Sequence, residues 1–264
     1  MPEGHTIHRI ARDHREYFAG QRLVVSSPQG RFLGTEALSG ALLEDTEAYG
    51  KHLLYRFEGA RWIHVHLGLF GKIFTLARPE TAPRPTVRLR LVGAEWFADL
   101  VGPTRCGVID PLVRSELFAR LGPDPLRRDA DPERAWARIS ASRQLIGALL
   151  MDQAVVAGIG NVYRAELLFR ARIDPYREGR RVSRSEWEAM WKDLRTLMRA
   201  GVKANRIVTT LPKHRTRPIG RVSAQDAVYV YRRHRLPCRV CGTTVLMAEL
   251  NARRLYWCPN CQSR

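Results

Sequence analysis

The sequence predicts an α+β protein in which an N-terminal antiparallel β-sandwich with flanking helices precedes a helical domain and a C-terminal four-cysteine hairpin. Short alternating apolar runs predominate up to about residue 100, helical periodicity predominates from residue 133, and two C-x-x-C pairs close the chain. The predicted boundaries are 1–122 for the sandwich domain, 123–132 for a linker, 133–227 for the helical domain and 228–264 for the hairpin segment.

The first predicted element is a helix over residues 5–19. Its apolar residues, from Ile7 to Phe18, recur at helical spacing, and Gly20 stands where a helix commonly ends. Short β-like runs follow, and Val87, Leu89 and Leu91 alternate with polar residues as on a half-buried antiparallel strand. The predicted strands are 23–26, 52–57, 62–67, 72–76, 87–92 and 95–100.

Helices are predicted again from residue 111 onwards. The stretch 123–132 is rich in Pro, Asp and Arg, which is typical of a linker. Residues 207–224 are polar and basic and are predicted to form a mobile loop. The predicted helices of this half are 111–121, 133–150, 161–171 and 183–200.

The charge of the chain points to a polyanionic partner. The formal net charge is +18, and residues 201–264 carry a net +11 from 13 Lys or Arg and 2 Asp or Glu. Nucleic acid is the simplest such partner, although an Arg-biased genome would also raise the count. With no long apolar run and no secretory signal pattern, we expect a cytoplasmic protein without a membrane span.

Four of the five cysteines form the pairs Cys238/Cys241 and Cys258/Cys261, with 16 residues between the pairs. Two such pairs can place four thiolates on one zinc ion. Because four protein ligands leave no position for a water, the predicted zinc is structural, which disfavours a zinc hydrolase. Two redox pairs are the alternative. His64 and His66 can be viewed as a second metal pair but lack a third ligand, and Cys106 is interpreted as a core thiol.

The start of the chain offers an unusual nucleophile. Removal of Met1 leaves Pro2 with a secondary amine, which can attack a sugar carbon and form an iminium. Such an amine is partly neutral near pH 7, and Glu3 can move the protons. The alternative interpretation is a flexible terminus that leads into the first helix.

A second motif, Gly158-Ile159-Gly160-Asn161, lies between two predicted helices. Glycines allow close approach of another chain, and the free amides of the following helix attract phosphate. Asn161 can add a hydrogen bond to the phosphate. Alternatively, Asn161 is only an N-cap and the glycines only shape a turn.

These residues together resemble the formamidopyrimidine-DNA glycosylase/endonuclease VIII family. The resemblance covers nearly the whole chain in five separated features, and the Gly4 start is similar to the endonuclease VIII-like proteins of actinobacteria. The features are Pro2-Glu3-Gly4, residues 49–54 (YGKHLL), residues 66–71 (HLGLFG), residues 158–164 (GIGNVYR) and the zinc segment from Arg253 to Gln262.

The resemblance implies a bifunctional DNA glycosylase/AP lyase of base excision repair, with a helix-two-turn-helix domain and one structural zinc ion. Its substrate would be double-stranded DNA with a damaged base or an abasic site, oxidised pyrimidines being favoured, cut by β- or β,δ-elimination. A monomer is expected. The implied catalytic residues are Pro2, Glu3, Lys51 and Arg253. The implied DNA contacts are Leu69, Phe70, Gly160, Asn161 and Arg253.

Leu69 and Phe70 lie in a Gly-flanked turn, where an apolar wedge can fill the gap left by an extruded base. The alternative is that both residues belong to the core. His5 and Thr6 stand where most relatives have Pro-Glu, which puts in question any proton relay through a second acid. The competing function is a catalytically silent zinc-ribbon protein that binds damaged or structured DNA.

Overall fold

The structure of the chain is a computed structural model that describes residues 2–263. The chain divides into two compact units, one up to Arg120 and one from Leu121. Within the described residues, none of the helices is both long and apolar enough to cross a membrane.

The first unit is the predicted antiparallel β-sandwich, which is confirmed. One sheet has the strand order β1-β3-β4-β5-β9 and the other has the order β2-β7-β8-β6. The strands are β1 Gln21–Arg22, β2 Val24–Ser26, β3 Leu42–Tyr49, β4 His52–Phe57, β5 Arg61–His66, β6 Lys72–Ala77, β7 Val87–Val92, β8 Trp96–Val101 and β9 Arg105–Ile109. The helices are α1 Gly4–Phe18, α2 Thr35–Leu38 and α3 Pro111–Ala119.

Side-chain alternation divides the first sheet into a core face and an outer face. On β4, Leu53, Tyr55 and Phe57 point into the core between the sheets, as the period of two requires. The outer face carries a smaller cluster of Leu54, Trp62 and Ile109, against which α3 packs. The sandwich thus buries both faces of β4 and β5 over part of their length.

Helix α1 packs against β3 and β4 and helps to fill the core. His14 is buried, and its two ring nitrogens lie 2.8 Å from the Tyr55 hydroxyl and 2.8 Å from the Thr75 hydroxyl. Arg15 pairs with Asp45 of β3. Burial lowers the pKa of His14 to about 4, so the imidazole is neutral in this polar contact.

The second unit contains the predicted helices and the C-terminal hairpin. The predicted helix over 133–150 is wrong in one respect, because the structure has two helices there, 132–140 and 146–149. Between them, the Ser142 hydroxyl accepts a hydrogen bond from the backbone N–H of Gln144. The elements are α4 Pro132–Ser140, α5 Ile146–Leu149, α6 Asn161–Arg170, α7 Arg184–Ala204, β10 Leu246–Leu250 and β11 Arg253–Trp257. A shared apolar core contains residues of all four helices.

The segment predicted as a linker begins with buried residues. Gly122 donates to the Gln153 carbonyl, and the Pro123 carbonyl accepts from Ala157, both within the second unit. Asp124 is also buried. The first five residues of the second unit, 121–125, therefore contribute to its packing, while the domain boundaries drawn from the sequence stay a prediction.

A buried carboxylate ties α6 to the segment that leads into the hairpin. Glu166 accepts hydrogen bonds from the backbone N–H groups of Tyr229, Val230 and Tyr231 at 2.7, 2.9 and 2.8 Å. It also accepts from the Thr209 hydroxyl. Thr209 is buried although it lies within the predicted mobile loop, so the start of that loop is anchored to α6.

Candidate functional site

The N-terminal residues are held at the start of α1. Glu3 is the N-cap residue of α1, with extended backbone angles, and its carbonyl accepts from the Thr6 N–H at 2.9 Å. The Glu3 residue is only 1% exposed, and Pro2 beside it is half-buried. A carboxylate next to the candidate amine is therefore shielded from bulk water. Met1, whose removal is predicted, lies outside the described residues.

His5 and Thr6 are the two residues that the sequence analysis compared with Pro-Glu, so Thr6 corresponds to the second acid and His5 precedes it. His5 is buried, and its Nε2 atom lies 3.3 Å from the Thr6 hydroxyl. Burial, with a smaller contribution from His8, lowers the pKa of His5 to about 4. The imidazole is neutral at neutral pH and Thr6 has no carboxyl group, so neither residue supplies the charge of a carboxylate.

Lys51 lies in the two-residue turn between β3 and β4. Tyr49 pairs with His52 across this turn, and Gly50 has a φ of 58°, which suits the first position of a tight hairpin turn. Helix α1 runs opposite to β3, because Arg15 meets Asp45 while the Ala11 carbonyl meets the Thr46 hydroxyl. The N-terminus of α1 and the Lys51 turn therefore lie at the same end of the first unit.

Three histidines on the outer face of β4 and β5 adjoin this turn. His52 Nδ1 lies 2.8 Å from His64 Nε2, and the His52 and His66 rings lie 4.9 Å apart. Burial is the main cause that lowers the pKa of His52 to about 3 and that of His64 to about 4, and it also lowers the pKa of His66. The sequence analysis considered His64 and His66 as metal ligands but did not include His52. The proximity of His52 to them depends on the pairing register of β4 and β5, which the sequence does not give.

The turn with Leu69 and Phe70 connects the two sheets of the sandwich. It follows β5 of one sheet and precedes β6 of the other, and Gly68 within it has a φ of 66°. Leu69 is 50% exposed and Phe70 is 83% exposed. These exposures argue against the alternative that both residues belong to the core. They leave two apolar side chains accessible on this turn, and the wedge role stays a prediction.

In the second unit, the glycine motif forms the loop before α6. Gly160 is the N-cap residue with an extended φ of −125°, and the helix begins at Asn161, which is half-buried. The alternative that Asn161 is an N-cap is therefore wrong. The first turn of α6 offers backbone N–H groups and the positive end of the helix dipole.

Gln153 holds the glycine loop in shape. Its side-chain oxygen accepts from the Gly158 N–H at 3.0 Å, and its amide nitrogen donates to the Ile159 carbonyl at 3.0 Å. Gly158 has a φ of 92°, a value that favours glycine. Sequence reasoning missed Gln153, because nothing in its local pattern indicates a loop five residues away.

The C-terminal hairpin presents two arginines beside its turn. Asn251 and Ala252 form the turn with φ values of 49° and 55°, and Leu250 pairs with Arg253 across it. Arg253 and Arg254 are both exposed. The guanidinium predicted to contact phosphate therefore stands directly at the hairpin tip.

The four cysteines of the two C-x-x-C pairs come together in the hairpin segment. All four Sγ atoms lie within 4.8 Å of one another, with Cys238 and Cys261 at 3.9 Å and Cys241 and Cys258 at 3.5 Å. A tetrahedral zinc with Zn–S bonds of about 2.3 Å needs S···S distances of about 3.8 Å. A disulfide needs about 2.0 Å. The donor set thus fits zinc and not the redox alternative.

Unlike the three histidines, the four cysteines form a candidate metal site. Within residues 2–263, it is the one group in which three or more potential ligands meet closely enough to hold an ion. Cys106 lies on β9 and packs against the sandwich core, and burial raises its pKa to about 12. Both observations agree with the interpretation of Cys106 as an inert core thiol.

Two contacts join the cysteine segment to α6 and to the residues that follow this helix. Gln262 is buried, accepts from the Cys258 N–H at 3.0 Å and donates to the Ile173 carbonyl at 2.9 Å. Cys238 and Cys258 also belong to an apolar cluster with Phe169 of α6. The hairpin is thereby packed on the helix whose N-terminus carries Asn161.

Three family models match the chain in the order of its elements. Residues 1–107 match the N-terminal domain of formamidopyrimidine-DNA glycosylase, and residues 121–213 match its H2TH domain. Residues 235–264 match the zinc finger found in FPG and IleRS. The zinc finger and the helix-two-turn-helix domain predicted from the sequence are thus confirmed as family features.

Curated proteins and solved structures give the same picture. Endonuclease 8 1 of Mycobacterium tuberculosis is 50% identical over 268 residues, which cover 100% of both chains. The probable endonuclease 8 2 of Streptomyces coelicolor is 35% identical and covers 100% of this chain and 94% of its own. Lactococcus lactis Fpg, solved in complex with DNA that contains an abasic site, shares the fold with a TM-score of 0.82 at 20% identity, covering 99% of this chain and 100% of its own.

Proposed function

The chain belongs to the formamidopyrimidine-DNA glycosylase family, in its endonuclease VIII branch, and on that premise we propose that it excises damaged bases from DNA and nicks the strand through an N-terminal iminium. It is a DNA glycosylase and AP lyase of base excision repair. The observation that carries the proposed chemistry is that Pro2, whose nitrogen becomes an amine once Met1 is removed, lies next to the buried Glu3 at the end of the first unit that also holds Lys51.

Pro2 is the proposed nucleophile. Its nitrogen lone pair forms a bond to C1′ while the glycosidic bond breaks and the base leaves with the bonding pair. The Glu3 carboxylate then takes the proton from the prolyl nitrogen, whose lone pair opens the C1′–O4′ bond. O4′ takes that proton from the Glu3 carboxyl, and a C=N⁺ iminium joins protein and DNA. Because the nitrogen of a secondary amine then carries no hydrogen, the iminium cannot lose a proton and stays cationic.

The iminium acidifies the neighbouring sugar hydrogens. Loss of a C2′ proton expels the 3′ phosphate, and loss of a C4′ proton can then expel the 5′ phosphate. Water finally hydrolyses the imine and returns the free amine. Lys51 supplies a positive charge for the phosphate beside the lesion at this end of the unit, where the three histidines are neutral.

Asn161 and Arg253 are the proposed phosphate contacts of the second unit, together with the Gly160 backbone. The helix N-terminus and the exposed guanidinium are both groups that favour phosphate. Arg253 acts in catalysis by holding the strand in place. One zinc ion, bound by Cys238, Cys241, Cys258 and Cys261, supplies no reactive group and fixes the hairpin that carries Arg253.

Borohydride trapping tests the proposed function. The native chain, with its mass confirming that Met1 is absent, is incubated with duplex DNA that carries one abasic site and is then reduced. A covalent protein–DNA band is expected. DNA binding without any band would favour the catalytically silent binder instead. Parallel reactions on oxidised pyrimidines and oxidised purines test the proposed preference for pyrimidines, and sedimentation tests the proposed monomer.

Replacing Arg253 by Ala should weaken DNA binding on every sequence and reduce its salt dependence. Each lost phosphate contact lowers the slope of log K against log salt by about 0.9. Binding isotherms at several salt concentrations measure that slope. Arg254→Ala is the matched control, since Arg254 is the adjacent exposed arginine. Equal slopes for native protein and Arg253→Ala would remove Arg253 from the phosphate contacts.

Replacing Leu69 and Phe70 together by Ala should reduce excision of a paired lesion by about tenfold to a hundredfold. A wedge compensates an unstacking cost of a few kcal/mol, and this cost is smaller at an abasic site. Single-turnover rates on the two substrates measure the difference. Leu76→Ala removes another exposed leucine outside the turn and serves as the control. Similar losses on both substrates would exclude the wedge role.

A further inference from the structure

Arg164 is a buried arginine in the first turns of α6, only 1% exposed. Its guanidinium donates to three oxygen atoms of the second unit. Nη2 donates to Asn161 Oδ1 at 3.1 Å and to the Arg254 carbonyl at 2.8 Å, while Nη1 donates to the Gly147 carbonyl at 3.3 Å. Burying a guanidinium is costly, so its place depends on these acceptors.

The first of these contacts fixes the orientation of the Asn161 side chain. A guanidinium has only donors, so the atom of the carboxamide that faces Arg164 must be the oxygen. The amide NH₂ group is then directed away from Arg164. Since phosphate oxygens only accept hydrogen bonds, this is the orientation in which Asn161 can bind phosphate.

The second contact fixes the hairpin relative to the helix. The Arg254 carbonyl belongs to β11, one residue after Arg253 at the tip. The third contact, to the Gly147 carbonyl, connects Arg164 to α5. Gly147 itself lies close to the hairpin, because a Cβ atom placed on it would be 3.2 Å from Leu250 Cδ2. One side chain thus joins α5, the N-terminal end of α6 and the hairpin tip.

We propose that Arg164 is a positioning residue that sets the Asn161 amide and the Arg253 tip in a fixed relation for binding the DNA backbone. The proposal rests on the proposed function. Arg164 itself is buried and acts through Asn161 and the hairpin. Its effect on DNA binding must therefore depend on whether Asn161 is present, which a residue that only stabilises the fold would not require.

A double-mutant cycle on a duplex with a tetrahydrofuran abasic analogue tests this dependence. Asn161→Ala should raise the Kd about tenfold or more, since a hydrogen bond to a charged group is lost. Arg164→Met should raise it at least as much. Adding Asn161→Ala to Arg164→Met should then change the Kd by no more than about twofold. If the double variant instead shows the product of the two single increases in Kd, the proposal is overturned.

Arg170→Met is the matched control on the same helix. Arg170 pairs with Asp193 and donates to the Thr209 carbonyl, so its effect on the Kd should multiply with that of Asn161→Ala. Non-additivity as strong as that of Arg164 would show that any arginine lost from α6 perturbs Asn161, and would overturn the specific role. Zinc content and thermal melting are measured for every variant.

A measurement on native protein keeps the proposal testable if Arg164→Met does not fold. The Asn161 side-chain amide signal, assigned by its loss in Asn161→Ala, should be as ordered in NMR relaxation as the α6 backbone without DNA. A freely reorienting carboxamide would contradict the proposal. This result is independent of the proposed function, whose failure would appear as absence of DNA binding and trapping by native protein.

Discussion

Replacing Pro2 by Gly should reduce borohydride trapping on abasic DNA by about a hundredfold or more, which corresponds to about 2.7 kcal/mol in the activation free energy. Glycine supplies a primary amine, whose imine keeps an N–H and becomes neutral when it loses that proton. The proline iminium has no N–H and stays cationic, and the proline ring limits the orientations of the nitrogen lone pair. The measurement is the initial rate of trapped complex at saturating DNA.

The same variant should bind a tetrahydrofuran duplex nearly as well as native protein, because Pro2 is not among the proposed phosphate contacts. Loss of trapping with retained binding would place Pro2 in the chemical step. Glu3→Gln is the companion variant, since it keeps the amine but removes the proton donor beside it. Trapping by Pro2→Gly at the native rate would show that the secondary amine is not required and would contradict the role proposed for the proline.

Replacing Cys258 by Ser should abolish strand cleavage although Pro2 remains in place. Cys258 is buried in the cluster of four sulfurs, and a hydroxyl does not replace a thiolate as a zinc ligand. Structural zinc contributes about 10 kcal/mol or more to the folding of small zinc modules. With the metal lost, the hairpin that holds Arg253 should unfold. Zinc content, hairpin NMR signals and cleavage rates are the measurements.

Cys106→Ser is the matched control for that substitution. It also removes a thiol, but a partly buried one that lies on β9 in the first unit and does not belong to the group of four sulfurs. It should lower thermal stability while the zinc content stays the same. Normal cleavage by zinc-free Cys258→Ser protein would mean that the hairpin is dispensable for the reaction.

The elements that the sequence predicted well are those whose pattern is local. The six predicted strands and the helices α1, α3, α6 and α7 are present with shifts of a few residues. Strand β3 was missed because its acids obscure the apolar alternation. Each of these acids forms an ion pair with an arginine of another element. The pairs are Glu44 with Arg56, Asp45 with Arg15, and Glu47 with Arg114. Such ion pairs cannot be read from a local window.

The candidate site shows the same division between local motif and tertiary contact. Spacing alone indicated the cysteine cluster and the glycine turn before Asn161, and the resemblance indicated Lys51. The residues that hold these groups in position, Gln153 and Arg164, carry no motif of their own. Their roles depend on carbonyl and amide groups brought near by folding, and Arg164 reaches a carbonyl 90 positions further along the chain.

The contacts of Glu166 limit how freely this protein can exchange parts with its relatives. The zinc segment resembles a detachable module, since its metal and its hairpin are both encoded after residue 235. Yet the backbone that leads into it gives three successive N–H groups to one carboxylate on α6. A chimera that transplants residues 229–264 without α6 leaves those three donors without their acceptor unless the recipient has a carboxylate at the place of Glu166. Recombination that moves this segment therefore has to carry α6 with it.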